Sequence, residues 1–238
     1  MIDKGKYSMV IFENVSKEFK GKIVLNHVNV KIAQGEICGL IGKNGSGKSV
    51  FMKLAAGMSY PTEGKITVNG KILAKGEFPH NTGIVLDNIG FLKEKTGYKN
   101  LKILAGILNK ISDEQIVSTM ESMGLNANDK TIVGKYSVGM KQKLLLAQAM
   151  MEEPDLLLLD EPFNGLDEDS ERRIIELLRQ TNARKGTTIV IVSHDKDELE
   201  NLCHRIYKVH NKRLEDVSYK AGSPLCAVPH ICSETFIE

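Results

Sequence analysis

Two kinds of hydrophobic pattern alternate along this chain of 238 residues. In the first, apolar and polar residues alternate in short runs bounded by Gly and Asn. These runs predict half-buried antiparallel strands at residues 10–13, 28–32 and 65–68. In the second, apolar residues are almost continuous, which predicts strands buried on both faces, as in a parallel sheet covered by helices. Runs of this second kind lie at residues 36–41, 83–86, 156–159 and 188–192.

Helical patterns follow most of the buried strand patterns. Ser112 and Gln115 have the spacing of a capping box, and Ser137 is of a residue type that caps helices well. From these signals and the spacing of apolar residues, we predict helices over residues 48–56, 112–124, 138–151 and 167–182. Because residues 100–151 carry helical signals without a strand between them, the sequence predicts an α/β domain with a helical insertion.

The composition is that of a soluble globular domain. Hydrophobic residues make up 42% of the chain and charged residues 26%, which gives no support to collagen-like, disordered or coiled-coil structures. The formal net charge is +2, so charge gives no reason to expect a nucleic-acid partner. No apolar run approaches the roughly 18 residues of a membrane span. Residues 1–10 lack the apolar stretch of a signal peptide, so we expect a cytoplasmic protein.

A glycine-rich motif directly follows the strand pattern at residues 36–41. Residues 42–49 match the phosphate-binding pattern G-x-x-x-x-G-K-[ST] between a strand and a helix, which predicts a P-loop NTPase core. The glycines let backbone N–H groups turn towards phosphate oxygens, and the helix N-terminus adds its positive end. Lys48 is expected to reach the β- and γ-phosphates of ATP, and the Ser49 hydroxyl to bind Mg²⁺. The predicted nucleotide contacts are Gly42, Lys43, Asn44, Gly45, Ser46, Gly47, Lys48, Ser49 and Val50.

Two adjacent acids end another buried strand pattern, at residues 156–159. If that strand lies beside the phosphate-loop strand, Asp160 is placed to hold Mg²⁺ directly or through water. Glu161, one residue later, points to a different side and can polarise the water that attacks the γ-phosphate. Without the phosphate loop, two solvated acids that cap a strand would be the favoured explanation of these residues. With it, we predict a metal ligand and a catalytic base.

The chain resembles the ATP-binding subunits of ABC transporters over most of residues 8–210. Residues 136–142, Tyr-Ser-Val-Gly-Met-Lys-Gln, are similar to the signature L-S-G-G-Q of that family and precede Asp160 at the family's spacing. The resemblance implies that Ser137 and Gly139 open a helix whose N-terminus binds the γ-phosphate of ATP on the opposite subunit. Val138 replaces a Gly and Met140 replaces the Gln, so this contact can differ from the usual one.

Further matches follow in the family's order. Residues 164–167 resemble the loop that connects the two nucleotide sites across the dimer, and His194 resembles the switch histidine that contacts the γ-phosphate. Phe19 falls where the family stacks an aromatic ring on adenine, although a core phenylalanine would fit the same pattern. The resemblance thus implies that Glu161, His194 and Lys48 are the catalytic residues.

Asp87 departs from the family pattern. The family has Gln at the end of this strand, where it touches Mg²⁺ and the attacking water, so the resemblance adds Asp87 to Ser49 and Asp160 as a metal ligand. An acid here, followed by residues 88–91 and 96–101, is similar to the ATPases of bacterial drug and antimicrobial-peptide exporters, including lantibiotic self-protection systems. We use this similarity to favour export over import, and expect Asp87 to link the nucleotide state to the membrane subunit.

The resemblance predicts one ABC-type ATP-binding domain over residues 1–210. Its helical subdomain spans about residues 88–151, and residues 211–238 form a tail without a clear pattern. The expected function is ATP hydrolysis that powers transport through a separate transmembrane permease, with the chain at the inner face of the cell membrane and paired as a homodimer or heterodimer. A soluble ABC ATPase acting on a macromolecule, or a non-hydrolysing regulatory module, are the alternatives.

Overall fold

The computed structural model describes residues 8–86 and 90–218. Its strands are β1 (Ser8–Phe19), β2 (Lys22–Ala33), β3 (Ile37–Ile41), β4 (Glu63–Val68), β5 (Lys71–Ile72), β6 (Thr82–Val85), β7 (Leu156–Asp160), β8 (Thr188–Val192), β9 (Arg205–His210) and β10 (Arg213–Asp216). Its helices are α1 (Lys48–Ala55), α2 (Gly97–Leu108), α3 (Asp113–Ser122), α4 (Val138–Met150), α5 (Glu168–Lys185) and α6 (Lys196–Leu202), with a 3₁₀ turn at Val133–Lys135. Helices and strands alternate as the sequence predicts.

One sheet is antiparallel, in the order β2-β1-β4-β5. Strands β1 and β2 form a hairpin in which Phe19 pairs with Lys22. The two residues between them, Lys20 and Gly21, have φ angles of 48° and 81°, as a tight hairpin turn requires. The predicted strands at residues 10–13, 28–32 and 65–68 are thus confirmed as parts of longer strands, and the hairpin places Phe19 at one end of this sheet.

The second sheet has the order β10-β9-β3-β8-β7-β6 and is parallel except for the antiparallel β9–β10 pair. Strand β8 lies between β3, which precedes the phosphate loop, and β7, which ends in Asp160. The two strands are therefore one strand apart and not adjacent. Because all three run in parallel, their carboxyl ends still share one edge of the sheet, where ligands of such sheets bind.

Apolar layers cover both faces of the parallel sheet. Leu157 and Leu159 of β7 belong to the core on the side of α4 and α5, whereas Leu156 and Leu158 belong to the core on the side of α1 and the antiparallel sheet. The rings of Phe12 and Phe51 stack with centroids 4.2 Å apart and join β1 to α1. Burial on both faces explains why the strand reads as a continuous apolar run.

The helical insertion contains α2, α3 and α4. Both hydrogen bonds of the predicted capping box between Ser112 and Gln115 are present at the start of α3. Helix α4 packs so closely on β6 that a Cβ at Gly83 would collide with the carbonyl of Ala149, which is why that strand carries glycine. Among the described helices, none combines the length and the apolar character that crossing a bilayer requires.

The structure also contains elements that the sequence patterns did not predict. Strands β5, β9 and β10 and helix α6 are short. Strands β5 and β10 lie at sheet edges and their residues are mostly exposed, so they carry no apolar alternation. Strand β10 extends the sheet beyond residue 210, where the predicted domain ends. Asn211 and Lys212, with φ angles of 46° and 64°, make the turn that returns β10 onto β9. Residues 219–238 of the predicted tail lie outside the described residues.

Candidate nucleotide site

The loop between β3 and α1 is shaped by its glycines. Gly45 and Gly47 have φ angles of 75° and 114°, which a residue with a side chain adopts only with strain. A Cβ at Gly47 would also lie 3.0 Å from Leu25 Cδ2 of β2. Gly47 is the N-cap of α1 and offers no side-chain acceptor to the first N–H groups of the helix. These groups are therefore directed to a ligand at the helix N-terminus.

The polar atoms of this loop fit an anion. Lys48 is only 7% exposed, and its Nζ donates to the carbonyl oxygens of Gly42 at 2.7 Å and Lys43 at 3.4 Å. The Oγ of Ser46 is buried without a hydrogen-bond partner among the described residues. A buried ammonium, an unpaired hydroxyl and a helix N-terminus together favour an oxyanion such as a phosphate group.

Asp160 and Glu161 lie at the shared edge of the parallel sheet. Asp160 ends β7 and is 8% exposed. Glu161 follows with a φ angle of 49°, and its N–H donates to the carbonyl of Val192 at the end of β8 at 2.9 Å. The left-handed conformation of Glu161 therefore ends the extended backbone of β7 directly after Asp160.

The carboxylate of Glu161 contacts His194. Glu161 Oε2 lies 2.9 Å from His194 Nδ1, although the two residues are 33 positions apart. The hydrogen bond to Glu161 and its negative charge raise the pKa of His194 above the ordinary value. The imidazole therefore keeps its positive charge to a higher pH than a free histidine would. Each residue was predicted separately, but their direct contact was not.

The segment that carries His194 is anchored to two elements, β3 and α6, through Ser193. Ser193 N–H donates to the carbonyl of Leu40 on β3 at 3.4 Å, and Ser193 Oγ donates to Glu198 Oε2 on α6 at 2.6 Å. Burial raises the pKa of Glu198. Sequence analysis did not identify Glu198, because an acid in the first turn of a helix is common and forms no motif. Its contact ties the histidine loop to the first turn of α6.

The signature residues lie at the N-terminus of α4. Ser137 Oγ accepts a hydrogen bond from the N–H of Met140 at 3.1 Å and so caps the helix. A Cβ at Gly139 would lie 2.7 Å from the carbonyl oxygen of Gly165, so the helix packs tightly on the loop after Glu161. Val138, which stands where the family has glycine, is 69% exposed. The start of α4 is therefore an accessible surface next to the loop after Glu161.

Phe19 and Asp87 complete the predicted set. Phe19 is 46% exposed, and the Nζ of Lys17 lies 4.7 Å from the centroid of its ring. The alternative of a core phenylalanine is therefore wrong. Asp87 lies outside the described residues, so its role as a metal ligand stays a prediction.

The donor set for a metal is small. In the described ranges, no group of three or more His, Cys, Asp and Glu side chains is arranged as a metal cluster. The Ser49 hydroxyl and the Asp160 carboxylate are oxygen donors at the loop and at the strand edge. Mg²⁺ typically takes one or two protein oxygens and completes its shell with water and phosphate oxygens. The residues present thus fit a magnesium ion that arrives with a nucleotide.

Comparisons with known proteins agree with this geometry. Residues 25–164 match the family model described as ABC transporter. Phe19 and His194 lie outside that range. An uncharacterized ABC transporter ATP-binding protein, YybJ of Bacillus subtilis, is 38% identical over 90% of this chain and 100% of its own length.

Two relatives have more specific names. The bacitracin transport ATP-binding protein BcrA of Enterococcus faecalis is 35% identical over 85% of this chain, which spans 66% of that protein. The lantibiotic transport ATP-binding protein SrtF of Streptococcus pyogenes is 34% identical over 82% of this chain and 83% of its own length.

Solved structures share the fold. An ATP-binding subunit of an ABC transporter is 27% identical, with a TM-score of 0.78, and the match covers 87% of this chain and 88% of that one. The ATP-binding cassette MJ0796, in a dimeric post-hydrolysis state bound to ADP and Pi, has a TM-score of 0.79 at 22% identity, covering 87% of this chain and 97% of that one. The second match supports the fold alone.

Proposed function

The chain belongs to the ABC transporter family as an ATP-binding, ATP-hydrolysing subunit, and we propose that it powers export through a separate transmembrane permease. The observation that carries ATP hydrolysis, the activity on which the proposed export depends, is the Glu161–His194 pair, with a contact of 2.9 Å, at the sheet edge that also holds the phosphate loop. A regulatory module that only binds nucleotide would not need this pair. The described part of the chain also contains no long coiled-coil insertion of the kind that would favour a soluble ATPase acting on a macromolecule.

The phosphate loop binds the triphosphate of ATP. Backbone N–H groups of residues 42–50 surround the phosphate oxygens, and the ammonium of Lys48 exchanges its two carbonyl contacts for the β- and γ-phosphates. The exposed ring of Phe19 stacks on adenine, while Lys17 occupies a position over the ring. ATP is thus held at its base and at its phosphates by different parts of the domain.

Ser49 and Asp160 hold Mg²⁺ in this proposal, with Asp87 as a further ligand. When bound, the ion neutralises charge that develops on the phosphate oxygens. Asp87 adds a negative charge close to the γ-phosphate, which is tolerable mainly when the metal is present. We therefore expect Asp87 to make the site more dependent on Mg²⁺ than a glutamine would.

Glu161 acts as the general base. Its carboxylate accepts a proton from water while the water oxygen bonds to the γ-phosphorus and the bond from that phosphorus to the bridging oxygen breaks, which releases ADP and phosphate. His194 holds the carboxylate through Nδ1, and the far side of its ring is directed to the γ-phosphate. Its raised pKa favours the cationic form, which suits an anionic ligand.

Two such subunits form the working unit. The N-terminus of α4, with Ser137 and Gly139, binds the γ-phosphate of ATP held by the opposite subunit. The exposed Val138 and the contact of Gly139 with Gly165 support this role for the start of α4. The pair is a homodimer or a heterodimer with a related chain, and it docks on the permease at the cytoplasmic face of the membrane.

The names of the relatives support a substrate class for the proposed export. Proteins named for bacitracin transport and lantibiotic transport are 33–35% identical to this chain, which supports peptide antibiotics as cargo. In cells that express the chain with its permease, labelled bacitracin should accumulate less than in cells that carry Glu161→Gln. Greater accumulation with the unmodified chain would indicate import. Co-purification of an integral membrane protein from detergent extracts tests the permease partner.

A further inference from the structure

Gln142 connects the helical insertion to the catalytic loop. It lies on α4, and its Nε2 donates to the carbonyl oxygen of Pro162 at 2.9 Å and to that of Glu161 at 3.3 Å. Both acceptors belong to the segment directly after β7. One side-chain amide of the insertion therefore holds two successive peptide groups at the active-site edge of the parallel sheet.

The backbone that it holds is unusual. Glu161 has a φ angle of 49°, a conformation that residues with side chains rarely adopt and that persists only where the surroundings enforce it. On its N-terminal side, the Glu161 N–H donates to the carbonyl of Val192 at 2.9 Å. On its C-terminal side, Gln142 provides the bonds to the carbonyl groups. The two flanking contacts come from different elements and fix the direction in which the Glu161 side chain leaves the backbone.

We infer that Gln142 is a positioning residue for Glu161, which sets the place of its carboxylate through two backbone carbonyl groups without itself touching ATP. The inference rests on the proposed role of Glu161 as general base. A base must lie within hydrogen-bond reach of the attacking water, and a displacement of about 1 Å can cost a large part of the rate. Loss of the amide frees the Glu161 peptide to rotate out of its enforced conformation.

A purely structural role for Gln142 would give a different result. If Gln142 served only to pack α4 against the sheet, its replacement would loosen the whole insertion. Thermal stability and ATP binding would then fall together with catalysis. Positioning acts after ATP has bound. It therefore predicts an effect on kcat with little effect on KM.

The experiment uses the full chain and measures ATP hydrolysis, ATP affinity and thermal stability for Gln142→Met, which keeps the side-chain length and removes the donor. We expect kcat to fall about 10- to 100-fold, with KM changed by about twofold or less and an unchanged melting temperature. The pH profile of kcat should shift as well. The contact with Glu161 raises the pKa of His194, and this contact should loosen in the Gln142→Met variant. Gln148→Met makes the same chemical change later on α4 and is expected to leave kcat unchanged.

Gln142→Lys tests the donor itself. Its ammonium can donate to the same carbonyl oxygens, so we expect it to recover most of the kcat lost in Gln142→Met. Wild-type kcat in Gln142→Met, a parallel loss of kcat, ATP affinity and melting temperature, or no recovery in Gln142→Lys would each overturn the inference. Failure of the unmodified chain to hydrolyse ATP would instead contradict the proposed function, so the two failures are distinct.

Discussion

The phosphate loop and the carboxylate opposite it are held in place in different ways. The loop is contiguous: its glycines set the backbone, and Lys48 forms its hydrogen bonds to carbonyl groups five and six residues away. Glu161 instead depends on residues 19 and 33 positions away, Gln142 and His194, and on the end of β8. Binding of ATP should therefore respond to changes within one short segment, whereas its hydrolysis should respond to changes in several separate elements.

The largest expected effect is on hydrolysis in Glu161→Gln. The amide has the size of the carboxylate but cannot accept the proton, so we expect kcat to fall about 10²- to 10⁴-fold, the usual contribution of a general base. ATP affinity should stay close to that of the unmodified chain. Steady-state phosphate release and equilibrium binding of labelled ATP measure the two quantities, and Glu121→Gln on the exposed side of α3 is the control.

Lys48→Ala should produce the complementary loss. Mg-ATP at 100 times its dissociation constant stabilises the unmodified chain by about 2.7 kcal/mol through mass action, and the variant should lose most of that stabilisation. Thermal unfolding with and without Mg-ATP measures it, with Lys53→Ala on the exposed side of the same helix as control. An equal rise in melting temperature for both variants would show that the nucleotide binds elsewhere.

A smaller effect is expected at the base-binding end. Phe19→Ala should weaken ATP binding by about 1 kcal/mol, the lower end of the range for base stacking, because the ring is half-exposed. Affinity for inorganic tripolyphosphate, which has no base, should not change. Ile72→Ala, an exposed apolar residue of the same sheet, is the control. If both ligands lose affinity equally, Phe19 supports the loop and does not stack on adenine.

The smallest expected effect is a shift in one titration. Since contact with Glu161 raises the pKa of His194, Glu161→Gln should lower that pKa towards the ordinary value near 6.5. Because the folded-state pKa is raised, the stability that protonation of His194 contributes is fully present below pH 6.5 and is lost as the pH rises through the folded-state pKa. NMR titration of the His194 ring in both proteins measures the shift, and an unchanged pKa would contradict the contact.

The phosphate loop could be predicted from the sequence because the residues that form it lie next to one another along the chain. The strand, the glycines and the helix of the phosphate loop occupy residues 36–56. The buried strands of the parallel sheet could be predicted as well, because each is a continuous apolar run. The fold class and the helical insertion were therefore predicted correctly. Short edge elements such as β5 and β10 were missed, because two to four residues with an exposed edge have too little pattern to stand out.

The surroundings of Glu161 could be predicted only in part. The positions of Glu161 and His194 at strand ends made each a candidate site residue. Their contact depends on β7 and β8 being neighbours in the sheet, which no local sequence pattern indicates. Gln142 received no role, because its hydrogen bonds form only when α4 docks on the sheet. Asp87 stays a prediction, since it lies outside the described residues. Side chains whose function depends on the packing of distant elements need the structure.

Sedimentation of Glu161→Gln with Mg-ATP tests the central claim most directly, with absorbance read for both protein and nucleotide. If the loop binds ATP and Glu161 is needed only to hydrolyse it, this variant should sediment as a stable dimer that carries intact ATP. Lys48→Ala should stay monomeric under the same conditions. A Glu161→Gln chain that stays monomeric at saturating Mg-ATP, or that converts the bound ATP to ADP at the wild-type rate, would contradict the account.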